Sequence, residues 1–237
     1  MSEGTAATTS TFRWLALISL LALLAGFWVP GMRLKAIVIC AVIPWCALVV
    51  GLRYRGEIAV ALRTRRDGSA AGPMVIATIA LASFALDDLG LISSRGVIEW
   101  GLFVGLPMWF AFFYLVSKPD ASIFQTFGAA LIFLPVAWIY GGSLLALSNC
   151  FMDHASPQVF QTQVIGKHVS YAKSERKYYL ELQAWGPRSD GSNLRVDYER
   201  YEDAKNGDRI CLGLYPGRFG QPWAHSIACP HAGPGNS

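Results

Sequence analysis

Between Ile123 and Leu147 the sequence reads IFQTFGAALIFLPVAWIYGGSLLAL, a run of apolar and small residues without a charge. A helix that crosses the apolar core of a bilayer, roughly 30 Å thick, needs about 20 such residues. An isolated span in lipid must also satisfy its own backbone hydrogen bonds, and a helix does so. The run therefore predicts a transmembrane helix.

Four earlier runs have the same character and are bounded by charged residues, Pro or Gly. Over the 237 residues, 53% are hydrophobic and only 15% are charged, which is too apolar for an ordinary soluble domain. We predict a membrane α-helical bundle of about five transmembrane helices within residues 1–150. The predicted spans are 12–29, 36–52, 74–92, 97–116 and 123–147.

The first run has one alternative interpretation, a secretory signal peptide, because Arg13 precedes an apolar stretch near the N-terminus. Signal peptides end in a small-residue cleavage pattern. Here the run ends in Trp28-Val29-Pro30-Gly31, and it is long enough to span. We therefore expect it to remain in the membrane.

The last third of the chain has the pattern of a water-soluble domain. Short alternating runs with β-branched and aromatic residues predict strands, and the intervening Gly, Pro and Asn predict turns. One helical turn is expected at 201–205, after the third strand. We predict that residues 151–237 form a small all-β, barrel-like extramembrane domain, OB-like or SH3-like. The predicted strands are Val159–Val169, Tyr178–Trp185, Asn193–Tyr198, Arg209–Tyr215 and Trp223–Cys229.

The positive charges indicate an orientation, because Lys and Arg in short loops are retained on the cytoplasmic side. With five spans the two sides receive very different numbers of them. One side receives Arg13, Arg53, Arg55, Arg63, Arg65, Arg66 and Lys118, and the other receives Arg33, Lys35 and Arg95. For a bacterial chain this predicts a multi-pass inner (plasma) membrane protein with a cytoplasmic N-terminus and a periplasmic C-terminal domain.

The arginine-rich connection after the second span also interleaves Ile58, Val60 and Leu62 with its basic residues. Its simplest role is to set the topology. The alternative is contact with anionic lipid heads of the inner leaflet. That contact would involve Arg53, Arg55, Arg63, Arg65 and Arg66.

Three carboxylates lie at or near the ends of spans: Asp87, Asp88 and Glu99. Ionisable groups in a membrane are costly and call for a functional hypothesis. One interpretation is interfacial carboxylates that lie near Arg95 and shape a short connection. The other is a polar or ion site beneath the outer domain.

Gly101 and Gly105 form a GxxxG pair, a spacing that lets helix backbones approach closely. The pair predicts packing inside the bundle, and a homo-oligomer is the alternative.

Cys211 and Cys229 fall on candidate neighbouring strands on the side where disulfides form, so they are the candidate disulfide, subject to geometry. Cys and His also form zinc sites, and His225 and His231 lie nearby, but the spacing matches no standard site. Sequences typical of a P-loop, HExxH or GxGxxG are missing from the chain. We therefore expect no metal, no cofactor and no catalytic residues.

One stretch resembles a known family. Gly207-Asp208-Arg209-Ile210-Cys211-Leu212, followed by PGRFGQPW at 216–223, is similar to the tail of uncharacterised bacterial polytopic membrane proteins with the pattern GDxxC then PGxxGxPW. The resemblance covers the tail and implies architecture, because no activity is assigned to that family. Trp223 is expected to close the barrel. The expected structural loop motif is Pro216, Gly217, Gly220, Pro222 and Trp223.

These features favour an interaction protein, in which the bundle anchors a periplasmic β domain that binds a protein or another envelope component. The alternative is a transporter or channel component that uses the three carboxylates. An enzyme is disfavoured because the soluble domain lacks a reactive cluster. Membrane lipids are expected partners, and nucleic acid is not, since the arginines lack an aromatic or motif context.

The predicted orientation is testable with fusions after Ser237. Alkaline phosphatase, which is active only outside the cytoplasm, is expected to be strongly active in intact bacteria, because an odd number of spans places the two termini on opposite sides. A fluorescent protein that matures only in the cytoplasm serves as the control and is expected to stay dark. A bright fluorescent fusion with inactive phosphatase would overturn the span count or the orientation.

Overall fold

The computed structural model describes residues 3–29, 31–53, 70–88, 90–117, 122–172 and 175–229. The chain divides into two compact units. The first contains Met1–Asp88 and Ser94–Ser148, and the second contains Leu89–Ser93 and Asn149–Ser237. The described part of the first unit is helical, and that of the second is a curved sheet with one short helix.

The helices of the first unit follow the apolar runs of the sequence. They are α1 (Glu3–Trp28), α2 (Arg33–Arg53), α3 (Ala71–Asp88), α4 (Arg95–Val116) and α5 (Ile123–Phe151). Among the described residues, α1, α2, α4 and α5 are long and apolar enough to cross a membrane. The apolar part of α3 is shorter, Ala71–Leu86. The described part of the chain thus has several helices that are compatible with a multi-span membrane protein.

At one end of the first three helices, Phe84 of α3 is the point of contact. Its ring stacks on that of Phe27 in α1, with centroids 5.0 Å apart. It also lies so close to Gly26 that a β-carbon there would clash with it. Arg33, the first residue of α2, donates a hydrogen bond to the Phe84 carbonyl at 3.3 Å. The end of α1, the start of α2 and the last turns of α3 therefore meet.

At the other end the contact point is Gly51 of α2. A β-carbon at this position would lie 2.9 Å from Leu115 of α4 and 3.7 Å from Ala70, just before α3. The start of α3 thus meets the end of α2. Since its last turns meet the start of α2, α3 runs antiparallel to α2 along most of its length.

Glycines bring α4 and α5 into backbone contact. A β-carbon at Gly101 would lie 2.8 Å from the Cα of Gly142, and one at Gly105 would collide with the Ala137 carbonyl. Gly141 faces the backbone of both α4 glycines. Small residues permit this close approach. The GxxxG pair therefore packs within the chain.

A proline interrupts α2, and a tyrosine of α5 lies beside it. Pro44 has no N–H, so it weakens the hydrogen-bond ladder around it. The buried Tyr140 hydroxyl donates to the Ala41 carbonyl at 2.6 Å and accepts from the Trp45 indole at 3.0 Å. A side chain from a neighbouring helix thus supplies a partner close to the break.

The second unit is an antiparallel sheet of five strands in the order β3-β2-β1-β4-β5. It curves into a half-barrel, so the predicted barrel-like domain is all-β but open, with β3 and β5 as its edges. A short helix, α6, follows the third strand three residues earlier than predicted. The elements are β1 (Gln158–Ala172), β2 (Glu175–Leu182), β3 (Ser192–Val196), α6 (Tyr198–Asp203), β4 (Arg209–Tyr215) and β5 (Trp223–Ile227).

The curvature comes from β1, which is long enough to serve two neighbours. Its first half pairs with β4 and its second half with β2, and the register shifts between Val164 and Gly166. Such a bulge bends a strand and increases its twist. The enclosed apolar core is formed by Val164, Leu180, Leu182, Trp185, Ile210 and Leu212.

The third predicted span, 74–92, is too long at its C-terminal end, because α3 stops at Asp88. Gly90 has a φ of +50°, a conformation that breaks the helix. Leu91 then forms a β-bridge with Trp223. Residues 90–92, which we name the edge segment, belong to the second unit and lie against β5.

Three backbone or side-chain hydrogen bonds hold the edge segment. The Ala224 N–H donates to the Gly90 carbonyl at 3.0 Å, and the Ile92 N–H donates to the Pro222 carbonyl at 3.0 Å. The Arg188 guanidinium donates to the Leu91 carbonyl at 3.2 Å. This β5 edge is therefore covered, as exposed sheet edges commonly are.

The glycine contact between α4 and α5 predicts opposite effects for two Gly→Ala variants. Gly105→Ala places a β-carbon on the Ala137 carbonyl and is expected to destabilise the bundle by about 1–3 kcal/mol, as overpacking does. Gly128→Ala lies in α5 with open space around its β-carbon. It is expected to be neutral or stabilising by up to about 1 kcal/mol. Thermal unfolding in detergent checks both, and equal Tm values for the two variants would contradict the packing.

Candidate functional site

The loop between β4 and β5, residues 216–222, contains the PGxxGxP part of the motif. Gly217 and Gly220 have φ values of +77° and +70°, the left-handed region that favours glycine. The Gly220 N–H donates to the Gly217 carbonyl at 3.1 Å and closes a tight turn. Arg218 and Phe219 form the exposed tip of this turn.

Asn149, in the last turn of α5, fixes the loop from the inside and is fully buried. Its Nδ2 donates to the Gln221 carbonyl at 2.7 Å, and its Oδ1 accepts from the Phe219 N–H at 2.9 Å. Its own carbonyl accepts from the Arg218 N–H at 3.1 Å. Buried amide groups need such partners, so the loop and the asparagine stabilise each other.

Asp153 binds the two ends of the loop. Its Oδ2 accepts from the Gly217 N–H at 2.8 Å and from the Trp223 indole Nε1 at 3.1 Å. Its Oδ1 accepts from the Ala155 N–H at 3.0 Å. Desolvation alone would raise the pKa of Asp153, but the hydrogen bonds from Ala155, Trp223 and Gly217, with the nearby His154, lower it overall. A carboxylate held by several donors stays ionised.

Trp223 does not lie in the apolar core, in contrast to its expected role of closing the barrel. Its ring stacks on Tyr215, with centroids 4.3 Å apart. Side chains alternate between the faces of a strand, so Ala224, which packs on the core, turns Trp223 to the opposite face. Trp185 is the tryptophan of the core, and its Nε1 donates to the Ser192 hydroxyl at 2.8 Å.

A second feature is a group of tyrosines near the end of β1, the start of β2 and α6, in which Tyr171 and Tyr198 are exposed and the other two are half-buried. The ring of Tyr178 lies 5.3 Å from that of Tyr198 and 5.0 Å from that of Tyr201 in α6. Tyr171 is 75% exposed, and the Arg176 guanidinium lies 5.8 Å from its ring centroid. We name Tyr171, Tyr178, Tyr198 and Tyr201 the tyrosine cluster.

The structure joins Cys211 and Cys229 in a disulfide, with an S–S distance of 2.09 Å. Their sulfurs are therefore bonded to each other instead of being available to a metal ion. His225 is exposed on β5, and His231 lies outside the described residues. In the part of the chain that the structure describes, no three His, Cys, Asp or Glu residues are grouped as metal ligands.

Glu99 forms an exposed i,i+4 ion pair with Arg95, with 2.6 Å between Oε1 and Nε. Asp87 and Asp88 end α3, and their side chains lie outside the described residues. The polar or ion site predicted at these two aspartates therefore stays a prediction.

Of the five arginines predicted to touch the inner leaflet, Arg53 is exposed at the end of α2. The other four lie outside the described residues, so their contact with lipid stays a prediction. They are Arg55, Arg63, Arg65 and Arg66.

Comparison with known proteins adds no relative: no protein-family model, curated protein or solved structure matches the chain. Among the described residues of the second unit, the loop tip and the tyrosine cluster stand out as candidate binding features. Both combine aromatic rings with an arginine. These residue types are enriched where proteins bind other molecules.

The contacts of Asp153 predict a pH-dependent contribution to stability. Asp153→Asn keeps only one acceptor oxygen and is expected to destabilise the protein by about 1–3 kcal/mol at neutral pH, the range for hydrogen bonds to a charged group. Because the pKa of Asp153 is lowered in the folded state, this contribution is fully present above the ordinary carboxyl pKa near 3.8. It is lost as the pH falls through the lower, folded value.

Thermal melts between pH 7 and pH 3 check this behaviour. The Tm difference between the wild type and Asp153→Asn is expected to shrink towards acid. Asp190→Asn, in an exposed turn of the same unit, serves as the control and is expected to melt like the wild type. A difference that stays constant across the pH range would contradict the role given to the Asp153 carboxylate.

Proposed function

We propose that this chain is a multi-pass inner-membrane protein that holds its C-terminal β domain at the periplasmic surface, where the domain binds a partner protein of the envelope. The observation that carries the proposal is the composition of the second unit. It takes in both the edge segment and the residues from Asn149 onward. The chain thus connects the second unit to helices at three points, which are the end of α3, the start of α4 and the end of α5.

The packing of α3 supports five crossings. Its 18 residues are about 27 Å long at about 1.5 Å per residue, close to the apolar thickness of a bilayer. It packs beside α2 from the level of Gly51 to that of Arg33. The apolar part of α3, Ala71–Leu86, is shorter than that of the other four helices, and its packing along α2 is what favours a fifth crossing.

Five crossings and the distribution of Lys and Arg together favour a periplasmic β domain. The disulfide between Cys211 and Cys229 agrees with that compartment, because disulfides persist in oxidising surroundings. The unit is also too small to gain much stability from its core alone, and such domains commonly use disulfides.

The tyrosine cluster is the surface that we assign to the partner. Tyr171 and Tyr198 are 75% and 57% exposed, so they contribute little to the core. Tyrosine and arginine dominate binding energy at protein interfaces, because they offer a large contact area and a polar tip. Arg176 beside Tyr171 gives the cluster this composition.

Photocrosslinking in intact bacteria tests the proposal. We replace Tyr171 with p-benzoylphenylalanine and expect one discrete adduct with another protein after irradiation. Ile165, which is 58% exposed on the same strand but outside the cluster, is the matched control position. It is expected to give no such adduct, and Tyr198→Ala is expected to reduce the adduct at position 171 severalfold. Equal adducts at both positions, or adducts only with another copy of the chain, would contradict this function.

A further inference from the structure

Four exposed side chains of the second unit extend from the end of α5 and from the loop that Asn149 holds. Phe151, Met152 and Phe219 are 47%, 54% and 51% exposed, and Arg218 is exposed beside Phe219. We name these four residues the loop-tip patch. Its three apolar side chains with one cation call for a partner that is itself part apolar and part anionic.

The length of α5 places the patch relative to a bilayer. At about 1.5 Å per residue its 29 residues measure about 43 Å. A bilayer with its headgroup regions is about 40–45 Å thick, so α5 reaches from one interface to the other. Asn149 lies in the last turn, and its side chain is hydrogen-bonded to the Phe219 N–H. In the proposed arrangement, the last turn of α5 and the loop bound to Asn149 lie at the depth of the headgroups.

The loop backbone is prepared for an environment that is poor in water. Each N–H from residue 217 to residue 220 donates to an acceptor within the protein: Asp153 for Gly217, the Asn149 carbonyl for Arg218, the Asn149 side chain for Phe219 and the Gly217 carbonyl for Gly220. Backbone groups left without partners next to lipid are costly. In this loop all four of these N–H groups have an acceptor.

We propose that the loop-tip patch inserts into the leaflet at the C-terminal end of α5 and binds a phospholipid there. Phe219, Phe151 and Met152 enter the boundary between headgroups and acyl chains, where aromatic side chains are enriched. The Arg218 guanidinium binds the phosphate, since a cation close to the membrane surface is attracted to anionic heads. The patch thus attaches the β domain to lipid independently of any partner at the tyrosine cluster.

The test uses the full-length protein in nanodiscs of phosphatidylcholine and phosphatidylglycerol. Phe219 is replaced with p-benzoylphenylalanine, and after irradiation the intact mass reports covalent lipid adducts. Tyr171, an aromatic side chain near the end of β1 that is even more exposed, at 75% against 51%, is the control position. The lipid-adduct fraction is expected to be severalfold higher at position 219 than at position 171. Arg218→Gln is expected to lower the phosphatidylglycerol share of the adducts at 219.

Equal lipid adducts at the two positions would overturn the insertion, and adducts with a second copy of the chain would show that protein, not lipid, covers the patch. A phosphatidylglycerol share unchanged by Arg218→Gln would overturn phosphate binding by Arg218. Met152, which is exposed to the same extent, provides a second labelling position should the substitution at 219 disturb the loop. The same severalfold excess over position 171 is expected there.

Discussion

A polar backbone group that is removed from water must have a partner, and this constraint governs both units. Within the helices the i→i−4 ladder satisfies most of these groups, and near Pro44 in α2 the Tyr140 hydroxyl also donates to the Ala41 carbonyl. At the end of α5, Asn149 does the same for the backbone of a loop far along the chain. The glycine contacts of α4 and α5 are possible because glycine has no β-carbon between the two backbones.

Elements determined by local pattern could be predicted from the sequence. Strand β4 has the predicted bounds, Arg209–Tyr215, because its alternating residues lie between the Asn-Gly-Asp and Pro-Gly turns. The apolar runs correspond to helices, although α1 begins at Glu3 and α5 continues to Phe151. The turn conformations of Gly217 and Gly220 also follow from residue type, since each has a positive φ.

Features that depend on distant residues could not be predicted in this way. Leu91 and Ile92 continue an apolar run, and only pairing with β5 shows that they belong to the sheet. Asn149 and Asp153 bind a loop 64 to 72 residues later, so neither stood out in the sequence. The one local signal was an asparagine directly after an apolar run. Trp223 was expected to close the barrel, whereas the register of β4 and β5 turns it to the face opposite the core.

The edge segment also sets an order of events during biosynthesis. Residues 90–92 leave the ribosome before α4 and α5, and their partner strand β5 is made after α5. Strand β5 therefore pairs with a segment that was synthesised much earlier, between α3 and α4. For this protein, synthesis of α4 and α5 precedes completion of the β domain. A quality-control system that senses an unpaired segment at 90–92 would be sensing an unfinished chain.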